Sequence, residues 1–322
     1  MQIIKYTFLL YLVTQVLLSA LRSVETVRIA FVISCISLVV NVSINYTLIY
    51  GRFGFPELGI RGAAIGTMIS RCLEFLIVFI YVIKIDKKLK LFSDKAVFHI
   101  DKLLRSDYVK VAVPVFISGM LWAISVPMQT AILGHLSPDA IAANSVASTF
   151  YQYMKVVVLA MSSASSVMMG KAVGKGDLDE VKAAARTLSV LDGGIGMILG
   201  AVLYFTKDFL LAQYTLSPTA TQLTEQLIII MAIVMVGMAY QMPVGSGIIR
   251  GAGDTKFYVN MISTWGIVLP LSLSAAFWWK WPIPAVVICL QSDQIFKGLP
   301  IFLRFRSYKW IQNVTREKAE LA

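Results

Sequence analysis

The amino-acid sequence predicts an all-α membrane protein with nine transmembrane helices. Of its 322 residues, 57% are apolar and 15% are charged, and the mean hydropathy is +0.74. Soluble domains have about 45–50% apolar and about 25% charged residues, so this chain lacks the polar residues that a water-exposed surface needs. The composition argues against a soluble enzyme, a disordered chain and a secreted disulfide scaffold.

Nine apolar runs are long enough to cross a bilayer. A hydrocarbon core about 30 Å thick needs roughly 20 helical residues, because each residue adds about 1.5 Å. In lipid each backbone N–H and C=O must be paired within its own segment, which favours helices for these runs. The predicted spans are residues 6–21, 29–50, 62–83, 111–134, 140–169, 187–206, 223–249, 257–279 and 283–303.

The basic residues predict which side of the membrane each loop faces. Most of the 29 Lys and Arg residues lie in alternate loops and in the C-terminal tail, and eight of them fall between residues 84 and 110. The intervening loops hold only Arg52, Arg61, Lys207 and Lys280. Cytoplasmic loops are enriched in Lys and Arg, which predicts an inner-membrane protein with a cytoplasmic C-terminus. The membrane topology therefore accounts for the net charge of +11, and no nucleic-acid partner is required to explain it.

An internal repeat predicts two lobes. Arg22–Arg28 and Arg250–Lys256 each place two basic residues six apart between two apolar helices. Three further helices precede the second copy within its lobe and none precede the first, so the N-terminal lobe is expected to lack three helices. The predicted organisation is a three-helix partial lobe at 1–84, a basic amphipathic linker at 85–110, a six-helix lobe at 111–306 and a cytoplasmic tail at 307–322.

Four separated motifs resemble those of the multidrug and toxic compound extrusion (MATE) family. They are Gly51–Thr67 (GRFGFPELGIRGAAIGT), Leu133–Asn144 (LGHLSPDAIAAN), Gly170–Asp177 (GKAVGKGD) and Arg250–Lys256 (RGAGDTK). Members of the family have twelve helices in two lobes that open as a V. The resemblance covers nearly the whole chain, up to about residue 312, and matches helices four to twelve.

The resemblance implies a secondary active transporter in the lipid bilayer. It would export small organic or drug-like compounds, which can be cationic, by antiport with H⁺ or Na⁺ and without another cofactor. Enzyme chemistry has little support, because the chain has two histidines and no hydrolase, metalloprotease or phosphate-loop motif. A lipid-precursor flippase of the same superfamily and a non-transporting truncated protein remain alternatives, and the oligomeric state stays open.

Two amides on the second span are candidates for a cation or substrate site. Asn41 and Asn45 lie one turn apart on an otherwise apolar helix, so we expect them to face protein or water. They resemble the Asn-x-x-x-Asp pair of a family N-lobe cation site, to which Thr67 would contribute from the next helix. Asn45 stands where an Asp would titrate, and its amide can ligate a cation but cannot carry a proton. The alternative is that both amides serve helix packing.

Charged residues inside the spans are expected to pair. Arg71 and Glu74 lie three residues apart, and Asp293 and Lys297 lie four apart, so each pair can form on its own helix. Lys155 has no such partner on its helix. One interpretation pairs Lys155 with Asp192 as a C-lobe site for a proton or charged substrate, and the other has Lys155 snorkelling to an interface.

A set of residues in the fourth and fifth spans is predicted to line a cavity. Pro114 and Pro127 predict kinks of the kind that transporters use in opening and closing. Trp122 stands where relatives with an acidic C-lobe often have a Glu, which argues against that mechanism here. A Met-rich core is the alternative to a cavity wall. The predicted lining residues are Met120, Trp122, Gln129 and Tyr151.

Overall fold

The chain folds into two compact units of α-helices. The computed structural model describes residues 4–24, 26–86, 102–255 and 262–311, and these contain no β-strand. The units are Met1–Arg105 and Ser106–Ala322, a division that falls within the predicted linker. Residues 87–101 of that linker, with the first part of its predicted amphipathic helix, lie outside the described residues, as does the tail from residue 312.

The N-terminal unit contains three helices around a small apolar core. They are α1 (Ile4–Ser23), α2 (Val27–Tyr50) and α3 (Gly59–Ile80), and α3 continues as a π-helical turn at Tyr81–Ile85. Gly62 and Gly66 let α2 and α3 approach closely. A Cβ atom on Gly62 would lie 2.6 Å from the Leu48 carbonyl oxygen, which real Cβ atoms essentially never do.

The C-terminal unit begins with four long helices, α4 (Lys102–Leu136), α5 (Pro138–Lys175), α6 (Leu178–Leu211) and α7 (Pro218–Met242). α7 continues as a π-helical segment, Pro243–Ile249. A second helical run follows with π-helical segments at Ile262–Val268 and Ser274–Trp278 around an α-helical Leu269–Leu273. The final helical segments are Ile283–Gln291, Asp293–Phe296 and Gly298–Ser307.

Local capping chemistry sets where the long helices begin. The Ser137 and Ser217 side chains accept the backbone N–H groups of Ala140 and Ala220, and a proline follows each serine. A side-chain acceptor at the N-cap followed by proline at the first helical position is a strong start signal, because proline lacks the N–H that would go unpaired there. Asp177 caps α6 in the same way, accepting from Asp179 and Glu180.

Glycine residues allow the neighbouring helices to pack closely against α7 and its π-helical extension. Gly196 and Gly200 on α6 pack against α7, and a Cβ on Gly200 would lie 2.7 Å from the Ala232 carbonyl oxygen. Gly247 and Gly251 pack against α5 in the same manner. α7 is the most buried of the helices that are long enough to span a membrane. It therefore forms the centre of the C-terminal unit.

Six described helices are long and apolar enough to cross a membrane. They are Val27–Tyr50, Tyr108–Leu136, Pro138–Lys175, Leu178–Leu211, Pro218–Ile249 and Ile283–Ser307. The first and eighth predicted spans correspond to the shorter apolar helices Thr7–Ser23 and Thr264–Trp278. The third corresponds to α3, which carries the charges of Arg61, Arg71 and Glu74. Each of the nine predicted spans thus coincides with a helical segment.

Candidate functional site

The C-terminal unit holds a cavity of about 390 Å³ between its helices, with a mostly apolar wall and several polar side chains. This volume lies within the range of small-molecule sites. Helices α4, α5 and α7 contribute to its wall, and so do the π-helical segments Pro243–Ile249 and Ile262–Val268 and the short helix Asp293–Phe296. The lining residues are Val115, Ser118, Gly119, Leu121, Trp122, Lys155, Leu159, Met238, Gln241, Met242, Ser246, Arg250, Thr264, Trp265, Gln294 and Lys297.

Three of these lining residues are cations, and one of them is neutralised by a carboxylate. Lys297 Nζ lies 2.6 Å from Asp293 Oδ2, and both side chains are buried. Lys155 Nζ lies 5.0 Å from the ring centroid of Trp122, within the range of a cation–π contact. Among the described residues neither Lys155 nor Arg250 forms an ion pair. The cavity therefore has two uncompensated positive charges.

A short hydrogen-bond chain occupies the remaining acceptors of Asp293. Gln241 Nε2 donates to Gln294 Oε1 at 2.7 Å. Gln294 Nε2 in turn donates to Asp293 Oδ1 at 2.7 Å. Both carboxylate oxygens of Asp293 are thus engaged, one by Gln294 and the other by Lys297. Asp293 is therefore committed to structure and not directed at the cavity.

The structure places some of the predicted cavity residues in the wall and others elsewhere. Trp122 lines the cavity, but Met120 and Gln129 are not part of its lining. Tyr151 is 8% exposed, and its hydroxyl lies 2.8 Å from the Met238 sulfur. Tyr151 therefore belongs to the core, because the rotation of α5 in the bundle decides which of its residues face the core, and sequence does not fix that rotation.

Several cavity residues carry no clear sequence signal. Gln241 precedes Pro243 at the end of α7, Arg250 follows the π-helical segment, and Gln294 adjoins the Asp293–Lys297 pair. Arg250 was assigned to a cytoplasmic loop from its charge alone. Gln241 and Gln294 could have been identified because each is a polar residue within an otherwise apolar span.

The structure does not form the ion pair proposed between Lys155 and Asp192. Lys155 lies against Trp122. Asp192 is 2% exposed, and its Oδ2 atom has no hydrogen-bond partner among the described residues. It lies on α6 one turn before Gly196, at the tight packing surface with α7. The pairing prediction was wrong because spacing along a chain does not report which helices face each other.

The amides predicted in the N-terminal unit form a continuous hydrogen-bond chain. Asn45 Nδ2 donates to Asn41 Oδ1 at 3.1 Å, and Asn41 Nδ2 donates to Ser70 Oγ at 2.9 Å. The Thr67 hydroxyl donates to the Ala63 carbonyl of its own helix. Asn45 Oδ1 is buried without a hydrogen-bond partner and lies against Gly66 of α3. This carbonyl oxygen is the free acceptor of the network.

Arg71 and Glu74 of the same unit form a local ion pair. Arg71 Nη1 lies 2.8 Å from Glu74 Oε2, and the Glu74 side chain is buried. The Arg71 guanidinium also stacks over the Tyr11 ring of α1 at 4.5 Å. These contacts satisfy both charges and link α3 to α1, which indicates a structural role.

Among the described residues, no group of three or more His, Cys, Asp and Glu side chains is placed to hold a metal ion. At Asn45 a hard cation such as Na⁺ would find one carbonyl ligand, because Asn45 Oδ1 is buried without a hydrogen-bond partner. One amide oxygen is an incomplete ligand set by itself. A bound cation there would need additional oxygen ligands.

The long apolar helices define an all-α fold of the multi-pass membrane class. The MatE family model matches residues 114–273. A crystal structure of the Vibrio cholerae MATE transporter VcmN superposes with a TM-score of 0.77 at 20% identity, covering 93% of this chain and 66% of that one. A crystal structure of the eukaryotic MATE transporter AtDTX14 gives a TM-score of 0.74 at 17% identity, covering 94% of this chain and 67% of that one.

Bacterial relatives show the same likeness in sequence. The "Uncharacterized transporter YisQ" of Bacillus subtilis is 26% identical over 280 residues, which are 85% of this chain and 60% of that protein. The "Probable multidrug resistance protein NorM" of Xylella fastidiosa strain Temecula1 is 29% identical over 276 residues, 84% of this chain and 58% of that protein. The chain is therefore similar to MATE-family proteins in sequence and fold, and it spans about three fifths of the length of these relatives.

Proposed function

We propose that the protein takes part in secondary active export of small organic compounds by antiport with H⁺ or Na⁺. The observation that carries the proposal is the cavity between helices of the C-terminal unit, in a chain whose relatives include proteins named for multidrug resistance. An apolar wall with a few convergent polar groups is typical of a small-molecule site. The proposal includes an inner-membrane location and a cytoplasmic C-terminus, which the distribution of basic residues supports.

A dye-efflux assay tests this proposal against a non-transporting role. The chain would be expressed in a bacterial host that lacks its own multidrug pumps, and the efflux of ethidium would be followed after the cells are energised. Transport predicts faster efflux than in cells with an empty vector, and this difference should collapse when an ionophore dissipates the coupling gradient. Efflux equal to the empty vector both for ethidium and for an anionic dye such as fluorescein, with the protein present in the membrane, would favour the non-transporting alternative.

Two described sites could couple export to an ion, and they favour different ions. The free Asn45 carbonyl oxygen can ligate Na⁺ but cannot carry a proton. Asp192 can carry a proton. The other described carboxylates that are buried, Glu74, Asp254 and Asp293, are each paired with a basic residue. Asp192 is therefore the candidate proton carrier of the C-terminal unit.

The first prediction concerns the Na⁺ candidate. If Na⁺ drives export, Asn45→Ala should lower Na⁺-dependent efflux by about tenfold, since a lost ligand to a charged group is worth about 1.5–3 kcal/mol. Ser43→Ala is the matched control, because the Ser43 hydroxyl is exposed and bonds the Val39 carbonyl of its own helix. Efflux at the parental rate in Asn45→Ala, with normal expression, would assign the amides to helix packing.

A second prediction concerns the H⁺ candidate. If protons drive export, Asp192→Asn should abolish the part of efflux that depends on the pH gradient, because an amide cannot exchange a proton. The fold should survive, since the substitution keeps the side-chain shape and removes a buried carboxyl that has an unpartnered oxygen. Asp179→Asn on the exposed start of α6 is the control. An unchanged pH-gradient dependence in the Asp192 variant would exclude this residue as the carrier.

A further inference from the structure

We infer that the cavity of the C-terminal unit binds an organic anion with an aromatic body, such as an aryl carboxylate. The inference rests on the proposed transport function and specifies the chemical class of the substrate. It follows from the charge of the cavity wall, from the aromatic side chains beside those charges and from the lack of a free carboxylate at the wall.

The charge of the wall is positive. Lys155, Arg250 and Lys297 line the cavity, and no acidic residue is among its lining residues. Asp293 lies behind the wall, with both oxygens engaged by Lys297 and Gln294. Asp293 thereby compensates the charge of Lys297, while the charges of Lys155 and Arg250 remain. A cationic substrate would meet two like charges and no available carboxylate.

The two remaining cations come from different parts of the fold and converge on one space. Lys155 projects from the middle of α5, whereas Arg250 follows the π-helical extension of α7. Basic residues within membrane helices are costly to bury, and they usually find a counter-charge or line a functional pathway. The charge of Asp293 also acts on Lys155, but Asp293 is already paired with Lys297, and no described residue forms an ion pair with Lys155 or Arg250. A bound anion would complete the site that the protein leaves incomplete.

Aromatic side chains flank the cations and provide a surface for a ring. Trp122 lies beneath Lys155 with the amine 5.0 Å from the ring centroid. Trp265 is held in place because its Nε1 donates to the Leu121 carbonyl at 3.2 Å. A planar ligand can therefore contact indole surfaces while its carboxylate lies in a cavity that Lys155 and Arg250 both line. Guanidinium groups bind carboxylates with two parallel hydrogen bonds, which favours this class of anion.

Isothermal titration of the purified full chain in a nonionic detergent tests the inference with three isosteric probes. These are 1-naphthoate, its neutral analogue 1-naphthamide and the cationic 1-naphthylmethylammonium. We expect 1-naphthoate to bind at least about tenfold more tightly than either analogue, because it alone forms charge-assisted hydrogen bonds with the wall. Equal binding of the three probes, or tighter binding of the cation, would overturn the inference.

Variants locate the binding in the cavity. Lys155→Met and Arg250→Gln should each weaken 1-naphthoate about tenfold and leave 1-naphthamide unchanged, while Lys155→Arg should retain the preference for the anion. Lys280→Met is the matched control, since Lys280 is an exposed cation of the same unit outside the lining. A preference for 1-naphthoate that survives in both Lys155→Met and Arg250→Gln would overturn the assignment to this site.

A lipid phosphate is the other source of an anion in a membrane. Short-chain phosphatidic acid, titrated against the protein loaded with 1-naphthoate, separates the two. We expect phosphatidic acid to compete only weakly with 1-naphthoate. If phosphatidic acid displaces 1-naphthoate at concentrations below those at which 1-naphthoate itself binds, a lipid headgroup is favoured and the inference is overturned. Ethidium efflux that persists without selective 1-naphthoate binding would reject this inference alone. Selective binding without gradient-driven transport would instead reject the proposed function.

Discussion

Replacing Lys297 with methionine is expected to destabilise the C-terminal unit by about 3–5 kcal/mol, because it leaves the buried Asp293 carboxylate without its counter-charge. The Asp293–Lys297 contact is 2.6 Å long, and its two side chains are 6% and 5% exposed. Removing the lysine leaves the Asp293 carboxylate buried without a compensating charge, which is energetically unfavourable. Denaturation of the purified protein by titration with sodium dodecyl sulfate, followed by circular dichroism, measures the change.

Two further variants distinguish the loss of this buried ion pair from the general effect of replacing a lysine. Lys175→Met removes an exposed partner of Glu180, whose 2.6 Å ion pair should contribute at most about 1 kcal/mol. The double variant Asp293→Leu with Lys297→Met removes both charges and should regain most of the lost stability. A loss for Lys297→Met no larger than that for Lys175→Met would show that Asp293 does not need this partner.

Replacing Gly247 with leucine is expected to disrupt the packing of the π-helical extension of α7 on α5. A Cβ at this position would lie 2.7 Å from the Ser162 carbonyl oxygen and 2.9 Å from Ser165 Cβ. The first of these contacts is with backbone, which cannot rotate away, so the helices must separate. Overpacking of this kind costs about 1–3 kcal/mol or more. The same denaturation experiment should show the loss, together with a lower yield of folded protein.

The matched control for this substitution is Gly194→Leu on α6. A Cβ at Gly194 would have no heavy atom within 4 Å. The substitution should be neutral or slightly stabilising, because leucine favours helices by several tenths of a kcal/mol over glycine. Equal stability of the Gly247 and Gly194 variants would contradict the close approach of α5 to the π-helical segment.

The features predicted most directly from sequence are those that depend on local spacing. Apolar runs of the right length define the helices, and separations of three and four residues place Arg71 beside Glu74 and Asp293 beside Lys297. The Asn41–Asn45 contact follows from the same rule. The hydrogen bond from Asn41 to Ser70 does not follow from spacing, because the rotation of α3 against α2 depends on the glycines between these helices.

The cavity lies beyond what spacing can predict. Its three cations, Lys155, Arg250 and Lys297, are far apart in the chain, and tertiary packing alone brings them to one wall. The π-helical segments that carry part of that wall have no simple periodic signature, although Pro243 marks the place where the α-helical hydrogen bonds are interrupted.

Transport by the purified chain in liposomes tests the central claim most directly. Proteoliposomes would be loaded and diluted to impose either an inward Na⁺ gradient or a pH gradient, and the movement of ethidium and 1-naphthoate would be measured against protein-free liposomes. The account predicts movement of at least one probe that follows one ion gradient and stops when an ionophore removes it. Rates equal to those of protein-free liposomes for both probes under both gradients, with folded protein in the bilayer, would contradict it.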